Sequence, residues 1–145
     1  MNGASAAPPP PPPAPPRRVW RSVGAVVAGF IVVFLLSVGT DQVLHILKIY
    51  PPWGEPMAGA LFVLATAYRI VYTILGGYIT ARLAPHAPVR HALILGLVGL
   101  VTGLLGVIAN IAKPELGPLW YSIAVALTGP PCAWLGGVLY GNRQS

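Results

Sequence analysis

Four apolar stretches, each long enough to cross a bilayer as a helix, occupy most of this chain and leave only short, breaker-rich turns between them. The first, 23–47, would span about 37 Å at the helical rise of about 1.5 Å per residue, enough to cross with some tilt. The others cover 57–83, 92–112 and 119–140. A soluble fold is incompatible with this pattern. Hydrophobic residues make up 55% of the chain and charged ones 8%, against about 25% charged in an ordinary globular protein. So few charges cannot clothe a water-facing surface, and lipid is the solvent that remains.

The expected fold class is therefore all-α: an integral membrane four-helix bundle of two antiparallel hairpins. The helices are expected at about 22–48, 57–83, 91–112 and 118–141, within a membrane domain covering 19–145. Residues 1–18 read as a disordered, proline-rich cytoplasmic tail. The prolines from Pro8 to Pro16, broken only by Ala14, favour extended polyproline II and offer no apolar face. They contain no aromatic or charged residue that would make a proline-binding partner selective, which favours a spacer over a docking site.

Arg17, Arg18 and Arg21 precede the first stretch, with the small residues Ser37 and Gly39 behind it, a pattern that a cleaved signal peptide shares. Apolar character continues through Val43, Leu44, Ile46 and Leu47, which favours an uncleaved span. The turn at 50–56 combines prolines and Gly54 with Tyr50 and Trp53, aromatics suited to a membrane surface, and Trp120 and Tyr121 follow the turn at 113–118.

Basic residues outside the spans fall six to two. Arg17, Arg18, Arg21, Arg82, Arg90 and Arg143 lie on one side; Lys48 and Lys113 lie on the other, where Glu55 and Glu115 accompany them. The positive-inside rule then places both termini and the middle loop in the cytoplasm. The net charge of +6 is spread over helix ends rather than gathered on one face, which speaks against a nucleic-acid partner.

Helices in lipid associate through close backbone approach at small residues. Gly96, Gly99, Gly103 and Gly106, with Ala92 and Asn110, recur at spacings of three and four and so share one face of the third span. The fourth span carries Ser122, Ala126, Gly129, Ala133 and Gly137 in the same manner. At its centre Gly129, Pro130 and Pro131 predict a kink or local opening, because two prolines remove two backbone donors.

Ionisable groups inside the spans are few. Asp41 and His45 share a face of the first helix with Ser37 and Lys48; Arg69 and Tyr72 share a face of the second with Thr73, Gly76 and Thr80. A charge at mid-bilayer costs about 3 kcal/mol on insertion scales, so such groups turn inward and find partners. Asp41 and Arg69 lie on neighbouring helices at depths that tilt and the long arginine stem can reconcile. Two readings follow: a structural ion pair that fixes helix register, and a proton or ion relay through Asp41 and His45.

The inventory for other chemistry is poor. Asp41, Glu55 and Glu115 are the only carboxylates, and they do not combine with a nucleophile and a base on one side of a membrane, so catalysis is not expected. One cysteine, Cys132, and scattered histidines, with His86 and His91 beside the middle loop, offer no metal site, and no cofactor is expected. Two short similarities, His45 to Lys48 with Asn110 to Lys113 and Leu75-Gly76-Gly77 with Leu135-Gly136-Gly137, lie at different offsets, which favours coincidence over duplication.

Several runs resemble those of small four-helix bacterial inner-membrane proteins. They include Gly39-Thr40-Asp41 with Leu44-His45, Tyr50-Pro51-Pro52-Trp53, Ala67-Tyr68-Arg69, and Pro131-Cys132-Ala133-Trp134-Leu135-Gly136-Gly137. The resemblance covers the four spans and implies that architecture, with no activity attached. The expected role is structural, in assembly or regulation, with the lipid bilayer, copies of the chain or other membrane subunits as partners. The alternative is a transporter or channel protomer that builds a polar path by oligomerising.

Overall fold

The computed structural model describes residues 7–13 and 18–145. The expected tail falls partly outside these residues; 7–13 are exposed and belong to no helix or strand. Four long helices follow: α1 (Val19–Ile46), α2 (Gly59–Leu83), α3 (Pro88–Ala112) and α4 (Leu119–Gln144), with a 3-10 turn at Pro114–Leu116. Among the described residues there is no strand. Each helix is long and apolar enough to cross a membrane, as in a multi-pass membrane protein.

Helix ends match the hydropathy reading or depart from it by up to three residues, for local reasons. Lys48 adopts a left-handed conformation with φ of 57°, so α1 stops at Ile46 rather than near 48. Ile49 and Tyr50 fold their N–H groups back onto the Leu44 carbonyl. Pro88 opens α3 at its first position, where a missing N–H costs nothing and the fixed φ suits the first turn. Nothing after Tyr140 breaks α4, which continues to Gln144.

The helices meet where side chains are smallest. A Cβ on Gly96 would lie 2.7 Å from Pro130 Cα, and one on Gly103 2.7 Å from Ala126 Cα, so α3 and α4 touch along their backbones. Across the other face of α4, Gly136 packs on the Ile74 carbonyl and Gly77 on the Ala133 backbone, which joins α2 to α4. Ala92, Ala126 and Ala133 are buried in this seam, while Leu95 is buried against Gly29 and Gly76 on the side of α1 and α2. The α3 stripe is only partly used, however. Gly99 and Gly106 have no neighbour within 4 Å of a Cβ, and Gly106 is exposed, because the line that faces inward runs through Gly96, Gly103 and Asn110, seven residues apart, and leaves Gly99 and Gly106 on its flank.

Of the two expected outcomes at Gly129-Pro130-Pro131, a kink or a local opening, the opening does not occur, since α4 runs through both prolines as continuous helix. Gly129 packs against the α3 backbone at Gly96, Gly99 and Leu100, and that support holds helical geometry where two donors are missing. The first helix is attached differently. It packs chiefly on α2, more lightly on α3, and makes no substantial contact with α4. Its closest approach is Gly29, seated beneath the buried Thr80 side chain and the Gly76 carbonyl.

Candidate functional site

At one end of the bundle the connections 47–58 and 113–118 border a common cavity of about 790 Å³. Asp41, near the end of α1, and Arg69, three turns into α2, form its floor. Arg69 Nη2 donates to Asp41 Oδ2 at 2.6 Å. Each of the two side chains is about four-fifths buried.

The second carboxylate oxygen, Oδ1, accepts from the Tyr68 hydroxyl. Arg69 Nη1 donates to that hydroxyl at 3.2 Å and to the Ala65 carbonyl at 3.4 Å. The Tyr68 proton is committed to Asp41, so the single Tyr50 hydroxyl proton is shared between the Leu61 carbonyl, to which it donates at 3.3 Å, and the Tyr68 oxygen at 3.1 Å. Burial is the main force pushing the Tyr50 phenol above its ordinary pKa, which keeps the proton this role needs. The guanidinium lies 5.3 Å from the Tyr68 ring centre and 5.7 Å from that of Tyr121, so α4 contributes a cation–π face to a pair made by α1 and α2.

The other singled-out residues lie around this cluster. His45 is one turn beyond Asp41, but its Nδ1–H donates to the Asp41 backbone carbonyl at 2.7 Å, not to the carboxylate. Its ring stacks on Trp53 at 3.9 Å with 11° between planes and meets Tyr50 edge-on. Tyr72 bonds Thr40 at 2.7 Å, a second tie between α1 and α2 that does not touch the pair. Among the described residues, no three His, Cys, Asp or Glu side chains lie close enough to hold a metal ion.

Sequence reasoning missed Tyr68 and Tyr121. Tyr68 stands one residue before Arg69 and one turn before Tyr72, at the flank of the polar stripe. Tyr121 belongs to a helix 52 positions further on and read as an interfacial aromatic. A usable signal did exist for Tyr68, since its spacing of four from Tyr72 puts a phenol on the face that carries Arg69. Asn110, read as part of the glycine stripe, is buried and donates to the Gly117 carbonyl at 3.1 Å. Gly117 has φ of 130°, and a Cβ there would lie 2.7 Å from the Phe62 ring, so this bond secures the wall of the cavity.

A second, smaller cavity of about 410 Å³ lies between α1 and the glycines of α3. Phe34, Ser37, Thr73, Gly99 and Thr102 line it, and Arg69 borders it as well. The arrangement chemically suits holding helices in register, since both carboxylate oxygens and both terminal nitrogens of the pair are engaged. Set against known protein families, curated proteins and solved structures, this chain matches none of them.

Proposed function

We propose that this chain is a small integral protein of a bacterial inner membrane, built as two antiparallel hairpins with both termini in the cytoplasm. Its role is structural, in assembly or regulation, as a subunit of a larger membrane complex. One observation carries the reading: Asp41, Arg69, Tyr72 and His45 each have a hydrogen-bond partner within the bundle. Asp41 is held by Arg69 and Tyr68, Tyr72 by Thr40, and His45 by a backbone carbonyl. Side chains so committed fix how α1 sits on α2 and leave little free for turnover. The apolar residues exposed along α1 and α3 then face lipid and neighbouring subunits.

Native mass spectrometry of the tagged protein, released gently from its host membrane, tests this. A stoichiometric foreign partner is the expected result; a clean homo-oligomer counts against it and favours a transporter or channel protomer. That second reading draws on the cavity that reaches Asp41 and Arg69. If it holds, a water-soluble carbodiimide modifies Asp41 in intact membranes. A carboxylate serving only as a register lock stays unmodified.

A further inference from the structure

The end of the bundle away from the Asp41–Arg69 pair carries a second polar cluster, between the last turns of α2 and α4. Arg143 Nη1 donates to the Tyr78 hydroxyl at 3.3 Å. The Tyr78 and Tyr140 rings meet edge-on with their centres 5.5 Å apart. Phe62 meets Tyr121 at the far end of the same two helices, so α2 and α4 run in one direction. Gly136 of α4 lies against Gly77 and Tyr78 of α2. One turn further along both helices, Tyr140 stands level with Arg82, which shares the Tyr78 face of α2 at a spacing of four.

The cluster is rich in donors and lacks an acceptor. The Tyr78 oxygen already accepts from Arg143, and among the described residues neither its proton nor the Tyr140 hydroxyl has a partner. Asp41–Arg69 is the one ion pair among those residues. All three carboxylate side chains of the sequence, Asp41, Glu55 and Glu115, border the cavity at the other end. Arg82 and Arg143 are both exposed and have no counter-charge. Like charges gathered at one phenol repel unless an anion lies between them. A guanidinium fork matches the paired oxygens of a phosphate, which can also accept from both hydroxyls. In the membrane reading, the 25 residues of α2 span about 37 Å against a hydrocarbon core of about 30 Å. Arg82, one residue from the end of α2, then emerges among head groups, where phosphate is the abundant anion.

We propose that Tyr78, Arg82, Tyr140 and Arg143 form a binding site for the phosphate of one anionic phospholipid, held where α2 and α4 end side by side. The two guanidiniums supply charge, and the two phenols supply O–H donors at fixed positions because their rings brace each other. A lipid as the source of the phosphate rests on the membrane reading above. Carbonate extraction tests insertion separately from the binding experiment, which is done in uncharged detergent.

The probe is phosphatidylglycerol, titrated into the full chain in maltoside micelles and counted as retained adducts by native mass spectrometry. One molecule should be retained at a concentration about tenfold lower than phosphatidylcholine needs, since choline cancels the phosphate charge. Arg82→Gln and Arg143→Gln should each remove that preference; both positions are exposed, so the melting temperature without lipid should stay at the parent value. Tyr78→Phe keeps its ring against Tyr140 and should weaken retention about fivefold, the worth of one hydrogen bond. Arg90→Gln changes an exposed arginine near the same end but outside the cluster and should leave retention as it was. Equal retention of the two lipids overturns the proposal. So does a loss with Arg90→Gln as large as with Arg82→Gln, the mark of a diffuse basic surface. Displacement of the lipid by an equal concentration of glycerol phosphate overturns it too, because the site would then serve free phosphate.

Discussion

The seam that α4 makes with α2 and α3, and the α1–α2 contact, join helices by opposite means. Along the seam, glycine and alanine bring backbones together and almost nothing polar takes part. Between α1 and α2, one glycine contact at Gly29 is supplemented by a charged pair, two phenols and the Thr40–Tyr72 bond. Without a hydrophobic drive between helices in lipid, either route supplies attraction, but they differ in tolerance. Backbone contact fails once any atom is added. A polar latch fails only when one of its partners is left alone.

The largest expected effect is therefore in the seam. Gly136→Leu would drive its side chain into the Ile74 carbonyl and the backbone of Gly77 and Tyr78. Overpacking of this kind costs about 3 kcal/mol or more, so folded protein should be lost in detergent extraction and size exclusion. A monodisperse Gly136→Leu protein would mean that the seam yields where the contacts say it cannot.

Asp41→Asn comes next. It leaves the Arg69 guanidinium without its counter-charge, at a cost of about 2 kcal/mol after allowance for the partial exposure of the pair. The melting temperature should fall clearly, and adding Arg69→Gln should restore part of the loss. Unchanged melting of Asp41→Asn argues against the latch. Tyr68→Phe removes one hydrogen bond to the carboxylate and should cost about 1 kcal/mol, a smaller drop in the same assay.

The smallest effect sharpens the contrast within one helix. Gly106→Ala belongs to the same stripe as Gly96 yet adds its methyl to open space, so melting should stay within about 0.5 kcal/mol of the parent. Gly96→Ala should be distinctly worse, because its methyl meets Pro130 and Ala133. Equal behaviour of the two variants would show that the stripe acts as a whole, or not at all.

These contrasts mark what the sequence discloses. Hydropathy locates all four helices because a run of apolar residues of spanning length has few other uses. Helix ends are less legible: Lys48 in a left-handed conformation and Pro88 at a first helical position are local backbone events that hydropathy does not register. Asp41 and Arg69 are conspicuous as rare charges, but Tyr68 and Tyr121 are not, since tyrosine is common at helix ends and its partners are chosen by tertiary packing. Periodicity likewise identifies the α3 stripe without saying how far it is used. Gly96 and Gly103 meet α4, whereas Gly106 faces outward, and helix crossing decides between them. The proline pair in α4 suggests an opening that support from α3 prevents.

The Asp41–Arg69 pair also bears on how the chain is made. The carboxylate leaves the ribosome 28 residues ahead of the guanidinium that neutralises it. At translation rates of about 5–20 residues per second, α1 waits up to several seconds with an unmatched charge. In the membrane reading, α1 is then a poor passenger by itself and a good one together with α2. The first two helices should enter the bilayer as a couple, and a translational pause between them would be where biogenesis goes wrong.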